Sequence, residues 1–134
     1  MSHSHILDVQ SNQGIEFLDI TAPVREFVRA ANCPDGILLI FTPHTTAGVT
    51  INENADPAVR YDLGEFFRRR FPGQDYFRHS EGNSPAHILS SLISASETLI
   101  VENGEPLLGT WQGIFFCEFD GPRSRSLLVR IVAA

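Results

Sequence analysis

The run Gly36-Ile37-Leu38-Leu39-Ile40-Phe41 restricts the fold more than any other segment of this chain. It is apolar throughout, β-forming in type, and bounded by glycine and by Pro43, so it reads as a strand. Having no polar alternation, it is expected to be central and buried on both faces. His5 to Gln10 and Ile15 to Ile20, separated by the turn Asn12-Gln13-Gly14, predict an N-terminal hairpin. Thr21 is placed to cap a helix with Pro23 in its first turn, and Val24, Phe27, Val28 and Ala31 recur at helical spacing until Asn32 to Gly36 ends it. Ala47 to Ile51 reads as the next strand. Asn54 or Asp56 then caps a helix from Pro57 to about Phe71, stopped by Phe71-Pro72-Gly73. Residues 73–83 are expected to form a loop, and Ser84-Pro85 opens a third helix. Glu97 to Val101, the turn Glu102-Asn103-Gly104-Glu105, and Leu107 to Phe119 predict a long hairpin, with Ser126 to Val132 as the last strand. About seven strands joined mostly by short turns, with about three helices, predict an α+β class. The expectation is a single domain over 1–134 whose mainly antiparallel sheets lie in a sandwich-like arrangement.

Composition narrows the function classes. A chain of 134 residues that is 43% hydrophobic can bury a real core. Its formal net charge of -6 gives no general reason to expect nucleic acid as a partner, because phosphate backbones call for a basic surface. No stretch approaches the ~20 apolar residues that span a bilayer, so no membrane role is expected. No apolar run follows Met1-Ser2-His3-Ser4-His5; no signal peptide is visible, the tail is expected to be flexible, and the location is expected to be cytoplasmic. Cys33 in a loop and Cys117 in an apolar strand match no disulfide or CxxC pattern and read as small buried thiols.

The chemistry-bearing residues concentrate in Pro43 to Pro57, where His44, Thr45, Thr46, Asn52, Glu53, Asn54 and Asp56 are threaded with Ala47, Val49 and Ile51. Half-buried polar groups need partners, so the segment suggests a site. Asp56 before Pro57 is also a good helix cap, whereas Glu53 has no such structural excuse. His79 lies in the polar loop and His87 in the first turn of the third helix. Three imidazoles with an open fourth position are a frequent catalytic zinc arrangement, yet the spacing alone does not choose between a metal site and separate hydrogen-bonded histidines. Gly109-Thr110-Trp111-Gln112-Gly113 sets two glycines in a β segment, which suggests a bulge or a close backbone approach. Its tryptophan is either a large core residue or a stacking wall beside a pocket. Glu118 alternates with Cys117 and Phe119 and is expected to face away from the core. The turn Phe119-Asp120-Gly121-Pro122-Arg123 is placed to present Arg123 to an anion.

HTTAGVTINENADPAVRYDL, YFRH, PAHI and LGTWQGIFFCEFDGPR, followed by a final apolar strand, occur in that order over nearly the whole chain. Together they resemble the YjbQ-like family. The resemblance implies a compact α+β fold, assembly as a homotrimer, and a polar pocket where His44, His79 and His87 hold a divalent metal, zinc being expected and magnesium the alternative. It implies pocket-lining roles for Asn52, Glu53, Asn54, Asp56, Trp111, Gln112, Glu118 and Arg123. The implied activity is a thiamine-phosphate synthase-like transfer, joining a hydroxymethylpyrimidine diphosphate to a thiazole phosphate with release of pyrophosphate.

Tested against that chemistry, Glu53, Asp56 and Arg123 are the candidate catalytic groups, Arg123 with a metal serving as the charge sink for pyrophosphate. Thr45 and Thr46 are candidates for holding phosphate oxygens, and Trp111 for stacking on the pyrimidine. Magnesium-pyrophosphate sites are normally carboxylate and water, whereas histidines favour zinc-like metals. A metal-dependent hydrolase of a small phosphorylated or acyl substrate, and a non-catalytic small-ligand-binding trimer, are therefore the alternative expectations.

Overall fold

The computed structural model describes residues 2–134. In chain order the elements are β1 (Ser2–Gln10), β2 (Glu16–Asp19), α1 (Thr21–Ala30), β3 (Asp35–Phe41), β4 (Ala47–Glu53), α2 (Pro57–Arg70), α3 (Ser84–Ile93), β5 (Ser96–Glu102), β6 (Glu105–Pro106), β7 (Gln112–Glu118) and β8 (Ser124–Ala133). All strand pairings are antiparallel, in a five-stranded sheet β1-β8-β3-β5-β6 and a three-stranded sheet β2-β7-β4. The two sheets face each other across one core, built from Leu38, Ile40, Leu127 and Val129 on the larger sheet and Val49, Ile114 and Phe116 on the smaller, with Val24 and Val28 of α1 closing its side. The far side of the small sheet carries a second core, where Phe115, Cys117 and Phe119 meet Ala86 and Leu89 of α3 and Phe67 of α2. The expected α+β sandwich with three helices is therefore present, as layers of large sheet, small sheet and helices.

Five expectations change in detail. The N-terminal hairpin does not form: β1 pairs with β8 and β2 with β7, so Asn12-Gln13-Gly14 carries the chain between sheets. The N-terminal tail is ordered from Ser2 as an edge strand, with His5 stacked on Phe27 at 6.1 Å; Met1 lies outside the described residues. The long hairpin after β5 is cut short. Only Glu105–Pro106 returns along β5, and residues 107–111 then cross to the small sheet, giving eight strands rather than seven. Thr21 does not cap α1. It is the first helical residue, and the Asp19 carboxylate accepts both its N–H and its hydroxyl at 2.9 and 2.6 Å. Asp56 does cap α2, accepting the Ala58 N–H at 2.9 Å.

The fifth change concerns Gly36 to Phe41. β3 is central in its sheet, but Ile37, Leu39 and Phe41 on its outer side are 40–50% exposed. The strand buried on both faces is β7, sandwiched between the two cores. Register carries the exposed apolar face across four strands: Ile6, Leu128 and Phe41 form one row, and Val132, Ile37 and Ile100 another. Nothing within the described residues covers that face. No described helix is long and apolar enough to cross a membrane.

Candidate functional site

β3 stops pairing with β8 at Phe41, opposite Leu128, while β8 continues back to Ser124. That stretch of β8, paired with β1 but open on its β3 side, is where a site forms. His44, just past β3, takes the place of the missing strand: its Nε2 accepts the Ser126 N–H at 3.1 Å. Arg125 is the neighbouring residue, and strand alternation turns it inward with Leu127, Val129 and Ile131. A buried guanidinium needs partners. Arg125, 7% exposed, donates through Nε to Glu118 Oε1 at 2.9 Å and through Nη2 to Glu118 Oε2 and to Thr46 Oγ1, the last at 2.9 Å.

Glu118 ends β7 and is 0% exposed, because the side of the strand expected to face away from the core is covered as well. Ser11 donates its hydroxyl to Glu118 Oε1 at 2.7 Å, and the Asp120 N–H reaches Oε2 at 3.0 Å. Burial pushes the Glu118 carboxyl up, but the hydrogen bonds from Arg125 and Ser11 outweigh it and hold the group below its ordinary range. Asp120 behaves alike: burial raises it, while bonds from Asn83 Nδ2 and Arg123 Nη2, both 2.9 Å, bring it below its ordinary value. Burial, and next the charge of Arg125, lower His44 below 6.5, so its ring is neutral near pH 7. Because Nε2 accepts a backbone proton, the neutral ring carries its own proton on Nδ1.

Beside these groups opens a cleft of about 380 Å³ whose walls are Pro43, His44, Thr45, Thr46, His79, Glu81, Asn83, His87, Arg123 and Arg125. His79 and His87 sit edge-on with ring centroids 5.1 Å apart. The three histidines expected to converge therefore share a cleft, and Thr45, Thr46 and Arg123 share it with them, with Glu118 fixing its floor. The metal fit is poorer. His44 has committed its Nε2 lone pair to Ser126, and among the described residues no group of three His, Cys, Asp or Glu is placed to hold a metal ion. As arranged, the residues do not fit the implied metal.

The remaining candidates lie elsewhere. β4 pairs with β7 so that Ala47 faces Glu118 and Glu53 faces Gln112. Asn52, Glu53, Asn54, Asp56, Trp111 and Gln112 therefore stand at the opposite end of the small sheet, about 20 Å from the cleft at ~3.3 Å per residue. Trp111 is neither core nor wall of this cleft; it is 62% exposed. The glycine beside it makes room for another group: a Cβ at Gly113 would collide with the Asn54 side chain.

Sequence reasoning missed Arg125, Asn83 and Glu81. Arg125 carried a signal, since two-residue alternation back from Leu127 puts an arginine on the core side of a strand. Asn83 and Glu81 carried none, because their places depend on how the loop between α2 and α3 folds back over Asp120. Cys33 and Cys117 are buried free thiols, as expected, and burial pushes the Cys117 thiol far up.

Known proteins are similar to this chain over most of its length. The family model described as "UPF0047 protein YjbQ-like" matches residues 5–134. UPF0047 protein MJ1081 of Methanocaldococcus jannaschii is 51% identical over 124 residues, covering 92% of this chain and 90% of that one. UPF0047 protein YugU of Bacillus subtilis is 47% identical over 127 residues, covering 94% and 96%. A crystal structure of an uncharacterized conserved protein of the YjbQ/UPF0047 family from Clostridium acetobutylicum superimposes with a TM-score of 0.92 at 46% identity, covering 96% of this chain and 99% of that one. A YbjQ-like protein from Sulfolobus solfataricus superimposes at 0.94 with 28% identity, covering 100% and 99%. This chain belongs to the YjbQ-like UPF0047 family.

Proposed function

We propose that the cleft binds a phosphorylated small molecule and that the chain is a transferase of the thiamine-phosphate synthase type. One observation carries the reading: Arg125 is buried and fixed by Glu118 and Thr46, and among the described residues its Nη1 has no partner and is left for the cleft. A guanidinium held in place before the ligand arrives loses little freedom on binding an anion, and it donates to phosphate more strongly than a neutral group. Arg123, half exposed and steered by Asp120, adds a second cation, and Glu81 is the one carboxylate among the lining residues.

In the transfer, the bond between the pyrimidine methylene carbon and the diphosphate oxygen breaks, and a carbon–nitrogen bond to the thiazole forms. Both electrons of the broken bond leave with pyrophosphate. Arg125 and Arg123 stabilise the charge that grows on that leaving group, and the neutral His44 offers its Nδ1–H as a further donor. No step is assigned to a metal, because His44 would have to release Ser126 to join one. The family resemblance supplies the pair of substrates, and the cleft's cations support a phosphorylated one.

The test is turnover. Hydroxymethylpyrimidine diphosphate and thiazole phosphate should yield thiamine phosphate and pyrophosphate in a ratio of one to one. Phosphate release without condensation would replace this reading with a hydrolase, and binding without turnover would replace it with a non-catalytic binder. The outer face of the five-stranded sheet supports assembly into a homo-oligomer, for which the resemblance implies three copies.

A further inference from the structure

We infer that a second cavity, between α2 and the start of β2, binds a small zwitterion with an aromatic side chain, an α-amino acid. Its volume is about 320 Å³, and it shares no lining residue with the cleft. That size is at the small end of ligand pockets, roughly 300–1,000 Å³, and suits one such molecule. Pro57, Arg60, Tyr61 and Gly64 recur at the helical period and form the α2 wall. Ile15, Glu16 and Phe17 form the opposite wall. The Arg60 guanidinium carbon lies 5.5 Å from the centre of the Phe115 ring, so it rests on the second core. A Cβ at Gly64 would stand 3.2 Å from Arg68 Nη2, so the glycine lets Arg68 lean back along α2 and close that end of the cavity.

The charges decide what fits. Arg60 enters no ion pair among the described residues, and its Nε is enclosed without an acceptor. A guanidinium resting on an apolar floor with an unmet donor calls for an anion. Arg68, the other cation of the walls, is already paired with Glu65 at 2.8 Å. Glu16 is the one carboxylate among the lining residues. Its Oε1 accepts the Asn12 and Gln13 N–H groups at 2.7 and 3.2 Å, which fixes it, while its Oε2 has no partner among the described residues. Glu16 and Arg60 do not pair with each other, so one free cation and one free carboxylate oxygen face a single cavity without meeting. A simple anion would gain Arg60 and be repelled by Glu16, and a simple cation would meet the reverse. A molecule carrying both charges satisfies both, its carboxylate on Arg60 and its ammonium on Glu16 Oε2. Phe17 and Tyr61 put two aromatic rings in the walls, which favours a ring on the ligand. Neither Arg123 nor Arg125 takes part, so the cavity and the cleft stand or fall separately.

Equilibrium dialysis of L-phenylalanine against the full chain tests it. Wild type should bind L-phenylalanine. Phenylpropionate, which lacks the ammonium, and phenylethylamine, which lacks the carboxylate, should each bind at least about tenfold more weakly. Arg60→Gln and Glu16→Gln should each weaken L-phenylalanine binding by a similar factor. Glu16→Gln keeps an oxygen for the Asn12 and Gln13 N–H groups, so the loop holds its shape and this variant decides the matter if Arg60→Gln fails to fold. Arg125→Lys, altered only in the cleft, should bind L-phenylalanine as wild type does. The inference is overturned by a wild type that does not bind, by equal binding of either singly charged analogue, or by full affinity in the folded Glu16→Gln variant. A loss that follows Arg125→Lys instead would place the ligand in the cleft and overturn it equally.

Discussion

Replacing Arg125 with methionine probes the charged floor of the cleft. Arg125 holds Glu118 through two donors and Thr46 through a third, and Glu118 is 0% exposed. The substitution leaves an enclosed carboxylate with only the Ser11 hydroxyl and the Asp120 N–H. Removing one partner of a buried pair costs about 3–5 kcal/mol, a large part of the roughly 5–15 kcal/mol that holds a domain together. The deficit should depend on pH, with a definite sign. In the wild type the folded Glu118 carboxyl lies below its ordinary value, so its contribution is full above the unfolded value of 4.5 and is lost as pH falls through the folded one. Without Arg125, burial dominates and the folded carboxyl rises above the unfolded value. The variant is then penalised while Glu118 is charged, and the penalty shrinks as acid protonates it. Urea unfolding at matched chain concentration, at pH ~7.5 and ~5, measures both. A deficit below about 1 kcal/mol, or an equal deficit at both pH values, would refute the argument. A Glu118→Gln, Arg125→Met double variant should recover most of the loss, because neither charge is then stranded.

Other expectations follow from the same geometry. Wild-type stability should decline on acidification in two stages: below 6.5, as the unfolded His44 gains a proton the folded ring resists, and again below the ordinary carboxylate range, as Glu118 and Asp120 protonate. Urea midpoints against pH, compared with those of a His44→Gln variant, check the first stage, which the variant should lack. Gly113→Ala should lower stability by about 1–3 kcal/mol through its collision with Asn54; an unchanged urea midpoint would show that Asn54 yields freely. If the outer sheet face joins copies as proposed, wild type should sediment as an oligomer and Phe41→Asp as a monomer, and an equal mass for the two would mean that this face is not the contact. Stripping with a chelator should leave pyrophosphate affinity unchanged in calorimetry; a fall would restore a metal to the site.

Periodicity made most elements legible, and it failed where an apolar face has no cover among the described residues. The β3 run reads as doubly buried because its outer residues are as apolar as its inner ones, and the described residues cover only one side. The N-terminal hairpin fails for a different reason, whereas the one after β5 keeps its turn and two pairs before the chain leaves for the small sheet. A turn signal such as Asn12-Gln13-Gly14 specifies a reversal of direction, not the partner, and here the partners lie in separate sheets. At the site, His44, His79 and His87 stood out by residue type and do share a cleft. Trp111 and Glu53 stood out equally and stand at the opposite end, because antiparallel pairing of β4 with β7 sends residues close in sequence to His44 away from it. Arg125 is legible only from the two-residue alternation that runs back from Leu127.

The central claim is that the cleft is an anion site anchored by a fixed guanidinium, and calorimetric titration of inorganic pyrophosphate tests it most directly. Wild type should bind, and Arg125→Lys, which keeps the charge but loses the planar fork that serves Glu118, Thr46 and the ligand together, should bind about tenfold more weakly, or about 1.4 kcal/mol. Equal affinity in the two proteins, or no binding to the folded wild type, would contradict the account.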